Sequence, residues 1–153
     1  MTQSYLFNLF ADYFQLYLQD EEAEGSLENS WTPEAINQLL ALAPGIIGIG
    51  TVRDMTVPLS IEIVDQVPDE EIGEWDQINE CSIEIPSGRF IVSGCSDYLP
   101  EAPRISVTKG TYRARIYYGK LNTLRENGLE GDDHYKVIFW KAPLAPLKVI
   151  KQR

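Results

Sequence analysis

The sequence is poor in the residues on which most protein chemistry depends. It contains one histidine, His134, and two cysteines, Cys81 and Cys95. A structural zinc site takes four ligands from Cys and His, so these three residues cannot build one. No apolar run reaches the roughly 18 residues of a membrane-spanning helix. The opening MTQSYLF lacks the basic start and long apolar stretch of a secretion signal, so the expected compartment is the cytoplasm, without a membrane partner. The glycine-rich segment GIIGIGTV, Gly45 to Val52, has neither the G-x-G-x-x-G spacing nor the lysine of a phosphate loop. The segment SGCSD, Ser93 to Asp97, is not the G-x-S-x-G of a nucleophile elbow.

Basic residues are scarce in the first two thirds. Through Pro103 there are 19 Asp and Glu against Arg53 and Arg89 alone, a net charge of 2 − 19 = −17, and from Arg104 onward 11 Lys and Arg face 4 acids, +7. The whole chain carries −10. Such a surface repels nucleic acid and anionic lipid and steers a basic protein toward it. With 153 residues the chain is expected to form one domain, residues 1–153, large enough to bury a core without metal or disulfide.

What is abundant is period-two alternation, the mark of strands with one buried face. In Gly110 to Gly119 the residues Tyr112, Ala114, Ile116 and Tyr118 share a face, with Arg113, Arg115 and Tyr117 on the other; in His134 to Lys141, Tyr135, Val137 and Phe139 alternate with Lys136. These two runs predict a long hairpin, joined by a loop containing Asn127-Gly128 and Gly131-Asp132. A second, tight hairpin is expected across Ser87-Gly88, with Ile85 facing Phe90, Ile83 facing Val92 and Cys81 facing Gly94. That register turns Cys95 away from Cys81, so both thiols are expected free. Further strands are read over Tyr5 to Phe10, Tyr13 to Gln19, Gly45 to Val52, Thr56 to Asp65, Arg104 to Thr108 and Lys148 to Ile150. Pro58 places the fourth of these at a sheet edge or a bulge.

One helix is predicted. Thr32 caps it, Pro33 takes the first position, Trp31 and Ile36 form a hydrophobic staple, and Ile36, Leu39, Leu40 and Ala43 make the apolar stripe that Pro44-Gly45 ends. About eight strands and one short helix, joined mostly by short turns, make the protein mainly β: an antiparallel β-sandwich or flattened barrel.

The densest negative segment is VPDEEIGEWDQINE, Val67 to Glu80. Its residues Asp69, Glu70, Glu71, Glu74, Trp75 and Asp76 are the candidate partner-binding site: carboxylates that stand where phosphates would in a basic groove, around an aromatic anchor. Arg113 and Arg115 are expected to pair with acids on a neighbouring strand. Three other readings compete. Exposed aromatics such as Tyr17, Tyr117 and Trp140 would suit a small-molecule or carbohydrate-binding sandwich. His134 beside Asp132 and Asp133 offers a base for a hydrolase, and Asn127, Glu130, Asp132 and Asp133 offer calcium oxygens without the spacing of a helix-loop-helix site. No catalytic residue, metal or cofactor is assigned.

Four short segments carry a resemblance. Tyr13-Phe14-Gln15, Trp31-Thr32-x-Glu34-Ala35-Ile36, the run Gly45 to Val52 followed by Arg53, and Lys109-Gly110-x-Tyr112 resemble the competence protein J family, inhibitors of a DNA-entry nuclease, and related uncharacterised bacterial proteins. The resemblance implies a non-enzymatic bacterial protein that binds and inhibits a basic partner, a nuclease.

Overall fold

Among the described residues eleven strands form where alternation or a continuous apolar run supplies a face to bury. A computed structural model describes residues 2–69 and 72–153. In chain order the strands are β1 (Gln3–Phe10), β2 (Gln15–Asp20), β3 (Leu40–Ala43), β4 (Ile46–Gly50), β5 (Thr56–Ile63), β6 (Trp75–Ile85), β7 (Arg89–Gly94), β8 (Arg104–Ser106), β9 (Gly110–Gly119), β10 (His134–Lys141) and β11 (Lys148–Lys151), with helix α1 (Pro33–Gln38) between β2 and β3. They make two sheets: β1-β5-β10-β9-β6-β11 and β3-β4-β2-β7-β8. The predicted mainly β sandwich with one short helix is what forms, and neither sheet closes into a barrel.

The long hairpin pairs as the alternation requires, with His134 opposite Gly119 and Lys141 opposite Tyr112. Its inward residues, Tyr112, Ala114, Ile116, Tyr118, Tyr135, Val137 and Phe139, enter one core with Leu16, Leu18, Phe90 and Val92 from the facing sheet. Phe90 and Phe139 meet across the sandwich, ring centroids 4.9 Å apart. Burial of such faces, at roughly 25 cal/mol per Å² of apolar surface, is the main force holding the layers together.

Three expectations are corrected. Cys81 to Ile85 and Arg89 to Gly94 do not pair with each other. β6 lies between β9 and β11, whereas β7 lies between β2 and β8, so the chain passes from one sheet to the other at Pro86-Ser87-Gly88. Both strands still turn the predicted residues inward, because Cys81, Ile83, Ile85, Phe90 and Val92 face the same core from opposite layers. Pro58 is not at an edge: β5 pairs antiparallel with β1 and parallel with β10, the one departure from an antiparallel sandwich. Proline is tolerated there since the β10 ladder begins one residue later, at Leu59. Finally, the helix stops at Gln38. Leu39 takes a left-handed conformation, φ 59°, and Leu40–Ala43 become β3, leaving Pro44-Gly45 as the turn into β4. The capping prediction holds, with the Ala35 N–H donating to Thr32 Oγ1 at 3.1 Å.

The outer face of the larger sheet is also covered. Arg113 Nε and Arg115 Nε donate to the two oxygens of Glu80, at 2.9 and 3.0 Å. Arg113 further donates to the carbonyls of Ala145 and Pro146, and Arg115 to those of Pro68 and Asp69 while lying over the Trp140 ring. This triad pins the chain between β5 and β6, and the segment before β11, across the sheet. Burial by itself would raise the Glu80 pKa, but the hydrogen bonds and charges of the two guanidinium groups outweigh it and hold the carboxyl below its ordinary value. Both thiols are free, Cys81 buried and Cys95 half-buried.

Candidate protein-binding site

Hydrogen bonds between the sheets bring several loops to one end of the sandwich. Gln77 and Asn79, at the start of β6, both donate to the Gln38 carbonyl at the end of α1, at 2.7 and 2.8 Å. Tyr118 Oη donates to the Leu39 carbonyl at 2.6 Å, and the Val52 N–H donates to Tyr135 Oη at 3.0 Å. Arg53 and the buried Asp133 form an ion pair at 2.8 Å. The end of α1, the start of β2 and the end of β4 are thereby fixed beside the starts of β6 and β10.

At this end the chain crosses from β1 to β2 within four residues, and the turn is bent hard to do so. The Ala11 N–H donates to the Met55 carbonyl and the Thr51 N–H to the Phe14 carbonyl, both at 2.9 Å. Tyr13 and Phe14 are held left-handed, φ 54° and 62°, a conformation that costs L-residues about 1–2 kcal/mol each. Gly94 lets the crossing come close: a Cβ there would lie 2.2 Å from the Phe10 carbonyl oxygen.

The strained turn does not bury its aromatics. Tyr13 is 70% exposed and Phe14 49%, and across from them on α1 Ile36 is 58% exposed. Together with Trp31, Leu39 and Gly50 they line an open, mostly apolar groove of about 310 Å³. Gly50 has a positional reason, since a Cβ would stand 3.0 Å from the Leu39 Cα. Beneath the turn lie three carboxylates. Asp54 accepts from the Tyr13 N–H at 3.1 Å, Asp12 from Ser96 Oγ at 2.6 Å, and Asp97 from the Gly94 N–H at 2.8 Å. Partial burial raises the Cys95 pKa first, and the charges of Asp12, Asp97 and Asp54 raise it further, so all three act on one spot. Among the described residues none of the three forms an ion pair, whereas Arg53, Arg89, Arg104, Arg113, Arg115, Arg125 and Lys136 each hold a carboxylate elsewhere.

The architecture has a known counterpart. The chain shares its fold with ComJ. That protein, described as the inhibitor of the DNA degrading activity of NucA from Bacillus subtilis, superposes with a TM-score of 0.72 at 15% identity, over 93% of this chain and 99% of its own. The product of a crocagin biosynthetic gene J superposes with a TM-score of 0.61, also at 15% identity, over 94% of this chain and 98% of its own. No family model and no curated protein matches the sequence. The resemblance read from four short segments therefore extends to the architecture of nearly the whole chain. Three of those segments contribute to the groove, through Tyr13, Phe14 and Gln15, through Trp31 and Ile36, and through Gly50 and Thr51. The fourth, around Tyr112, caps itself on the Thr108 carbonyl elsewhere.

The acidic segment is less uniform than its composition suggests. Trp75 through Glu80 belong to β6, and Glu80 is committed to the arginine pair. Asp76 accepts from the Leu121 N–H at 2.7 Å, and Trp75 is half-buried against Tyr117 and His134, ring centroids 5.2 and 5.0 Å away. Asp69 and Glu74 are exposed, and Glu70 and Glu71 lie outside the described residues.

The aromatic and calcium-binding arrangements do not assemble. Tyr117 and Trp140 are buried rather than exposed, because Glu80, Arg115 and the covering loop lie on the face that alternation left outward. Of the calcium candidates, Asp133 pairs with Arg53 and Tyr135, Glu130 with Arg125, and Asn127 accepts from the Leu129 N–H. His134 lies beside Trp75, Glu74 and Lys120, its Nδ1 3.2 Å from the Asp132 carbonyl oxygen. Among the described residues no three His, Cys, Asp or Glu side chains are placed to hold a metal.

Sequence reasoning placed Tyr13 and Phe14 in a strand and Ile36 in a staple, and so missed the groove. The usable signal was the pair Tyr13-Phe14 directly after Asp12: two large aromatics and an acid at a sheet-to-sheet crossing.

Proposed function

We propose that this chain is a non-enzymatic protein that binds a basic protein partner, a nuclease, and blocks its activity. The observation that carries the reading is the fold shared with ComJ over nearly the full length of both chains. Charge supports it. The net charge is −10, and the arginines named above are spent on internal ion pairs, which leaves the surplus carboxylates outward. In this reading Asp69, Glu70, Glu71 and Glu74, with Trp75 and Asp76, take part in meeting the partner; of these, Asp69 and Glu74 are exposed. Such surfaces speed association and make it sensitive to salt.

The test is affinity capture at low salt from the protein's own lysate, followed by a DNA degradation assay on the captured protein with and without added chain. A basic protein whose DNA degradation falls as the chain is titrated in is the expected result. A captured partner without nuclease activity, or one whose activity is indifferent to the chain, would refute it.

A further inference from the structure

The groove beside the Tyr13-Phe14 turn is apolar where a soluble protein gains nothing by being so. Three of its lining residues sit on backbone that costs energy. Tyr13, Phe14 and Leu39 are all left-handed, with φ 54°, 62° and 59°, and none is glycine. For Leu39 there is compensation in burial, since it is 7% exposed and closes the end of the helix. For Tyr13 and Phe14 there is little, because the strain presents their rings to water instead of the core. At about 310 Å³ the space lies at the small end of ligand sites, enough for one bulky side chain rather than a whole metabolite. Its floor supplies shape and little polar recognition. Beside the turn stand Asp12, Asp54 and Asp97, none of which holds an ion pair among the described residues, and Glu34 is on the helix that carries Ile36, while the nearby Arg53 is taken up by Asp133.

We propose that this groove docks a basic segment of a protein partner, seating one bulky apolar side chain between Phe14 and Ile36 while Asp12, Asp54 and Asp97, on the turn side of it, receive neighbouring Lys or Arg residues. The proposal rests on the protein-binding reading above and names the surface on which it acts. Charge complementarity selects the occupant. A second copy of this chain would bring like charge to the groove, and a nucleic acid or an anionic lipid would be repelled by the same carboxylates. An apolar anchor in a small pocket with charged groups at the rim is the arrangement in which a few residues carry most of the binding energy.

Short random peptides displayed on phage and selected on the intact chain provide the probe. Selected peptides are expected to hold Lys or Arg around one bulky apolar residue, and their synthetic forms to bind more weakly as salt rises. Phe14→Gly and Ile36→Ser should each weaken them about tenfold, the loss of one anchor contact, and Asp12→Asn with Asp54→Asn should flatten the salt dependence. Both apolar positions are largely exposed, and glycine is at ease at the φ of Phe14, so thermal melts should show folded variants; where one variant melts early, the other decides. Glu24→Gln with Glu84→Gln, two exposed carboxylates that do not line the groove, should leave peptide binding unchanged. No enrichment of basic peptides, or equal affinity for wild type and both groove variants, would overturn the proposal. A nuclease inhibited equally well by Phe14→Gly would refute the groove and leave the inhibitor reading standing. Peptides that select as expected, with no nuclease captured, would do the reverse.

Discussion

Replacing Glu80 by glutamine should be the most damaging single change on the outer face of the larger sheet. Its two oxygens receive Arg113 and Arg115, and the three side chains are 12%, 6% and 5% exposed. Glutamine keeps the shape but leaves two guanidinium charges with no counter-charge. Breaking a buried pair in this way costs about 3–5 kcal/mol. Here both arginines retain carbonyl acceptors, and Arg115 retains the Trp140 ring, so the loss belongs near the lower figure, about 3 kcal/mol. For a chain of this length that lowers Tm by about 6–12 °C. Urea unfolding of wild type and Glu80→Gln at neutral pH reads the difference directly. The sign of its pH dependence follows from the depressed folded pKa. The carboxylate's contribution is complete above the unfolded value near 4.3 and is lost as pH falls through the lower folded value. The two proteins should therefore converge in acid. A difference under about 1 kcal/mol at neutral pH, or one that does not shrink in acid, would mean that the carbonyls alone satisfy the arginines and that the triad does not hold the covering segments down.

Other outcomes follow from the same geometry. Gly94→Ala would place a Cβ 2.2 Å from the Phe10 carbonyl oxygen, and backbone cannot retreat as a side chain can; a loss of about 2 kcal/mol or more in urea unfolding is expected, and a neutral result would refute the tight crossing. Phe14→Gly should keep or raise stability by up to about 1 kcal/mol, since the strain of a left-handed residue is relieved at an exposed site; a clear loss would mean that the ring packs more than its exposure shows. With a thiol reagent, Cys95 should react in the native protein and Cys81, buried and pushed up to about 12, only on unfolding. The rate at Cys95 should climb at a pH above that of an ordinary thiol, about 8.5, and Asp12→Asn should move it partway back. Thr32→Ala removes the cap of α1, expected to cost about 1 kcal/mol and to loosen Ile36, which amide exchange over Pro33–Gln38 would reveal.

The elements whose chemistry is local could be read from the residues. β9 and β10 alternate so regularly that the inward faces agree with the structure, and Thr32-Pro33 marks the start of α1. What could not be read was where local signals compete with the fold. Leu39, Leu40 and Ala43 continue a helical stripe, yet β4 offers an open edge, and pairing Leu40–Ala43 with it outweighs one more helical turn. Ser87-Gly88 is good hairpin chemistry that instead carries the chain between layers, because β6 and β7 each find other partners. The groove beside the Tyr13-Phe14 turn was not legible for a related reason. Composition flags the acids of Val67 to Glu80, of which Glu80 is engaged by two arginines and Asp76 by a backbone N–H, while Asp12, Asp54 and Asp97 are far apart in sequence and meet only through the crossing turns.

The order of the larger sheet has a consequence for how the protein is made. β5 emerges from the ribosome early, but its parallel neighbour β10 comes some seventy residues later, and β6 waits likewise for β9. Until residue 119 is synthesised β6 lacks β9, and until residue 141 the pair β1 and β5 keeps a bare edge. The nascent chain thus passes a long middle part of its translation with unpaired borders, and a chaperone that shields extended segments would raise the yield of this protein more than one that acts after release.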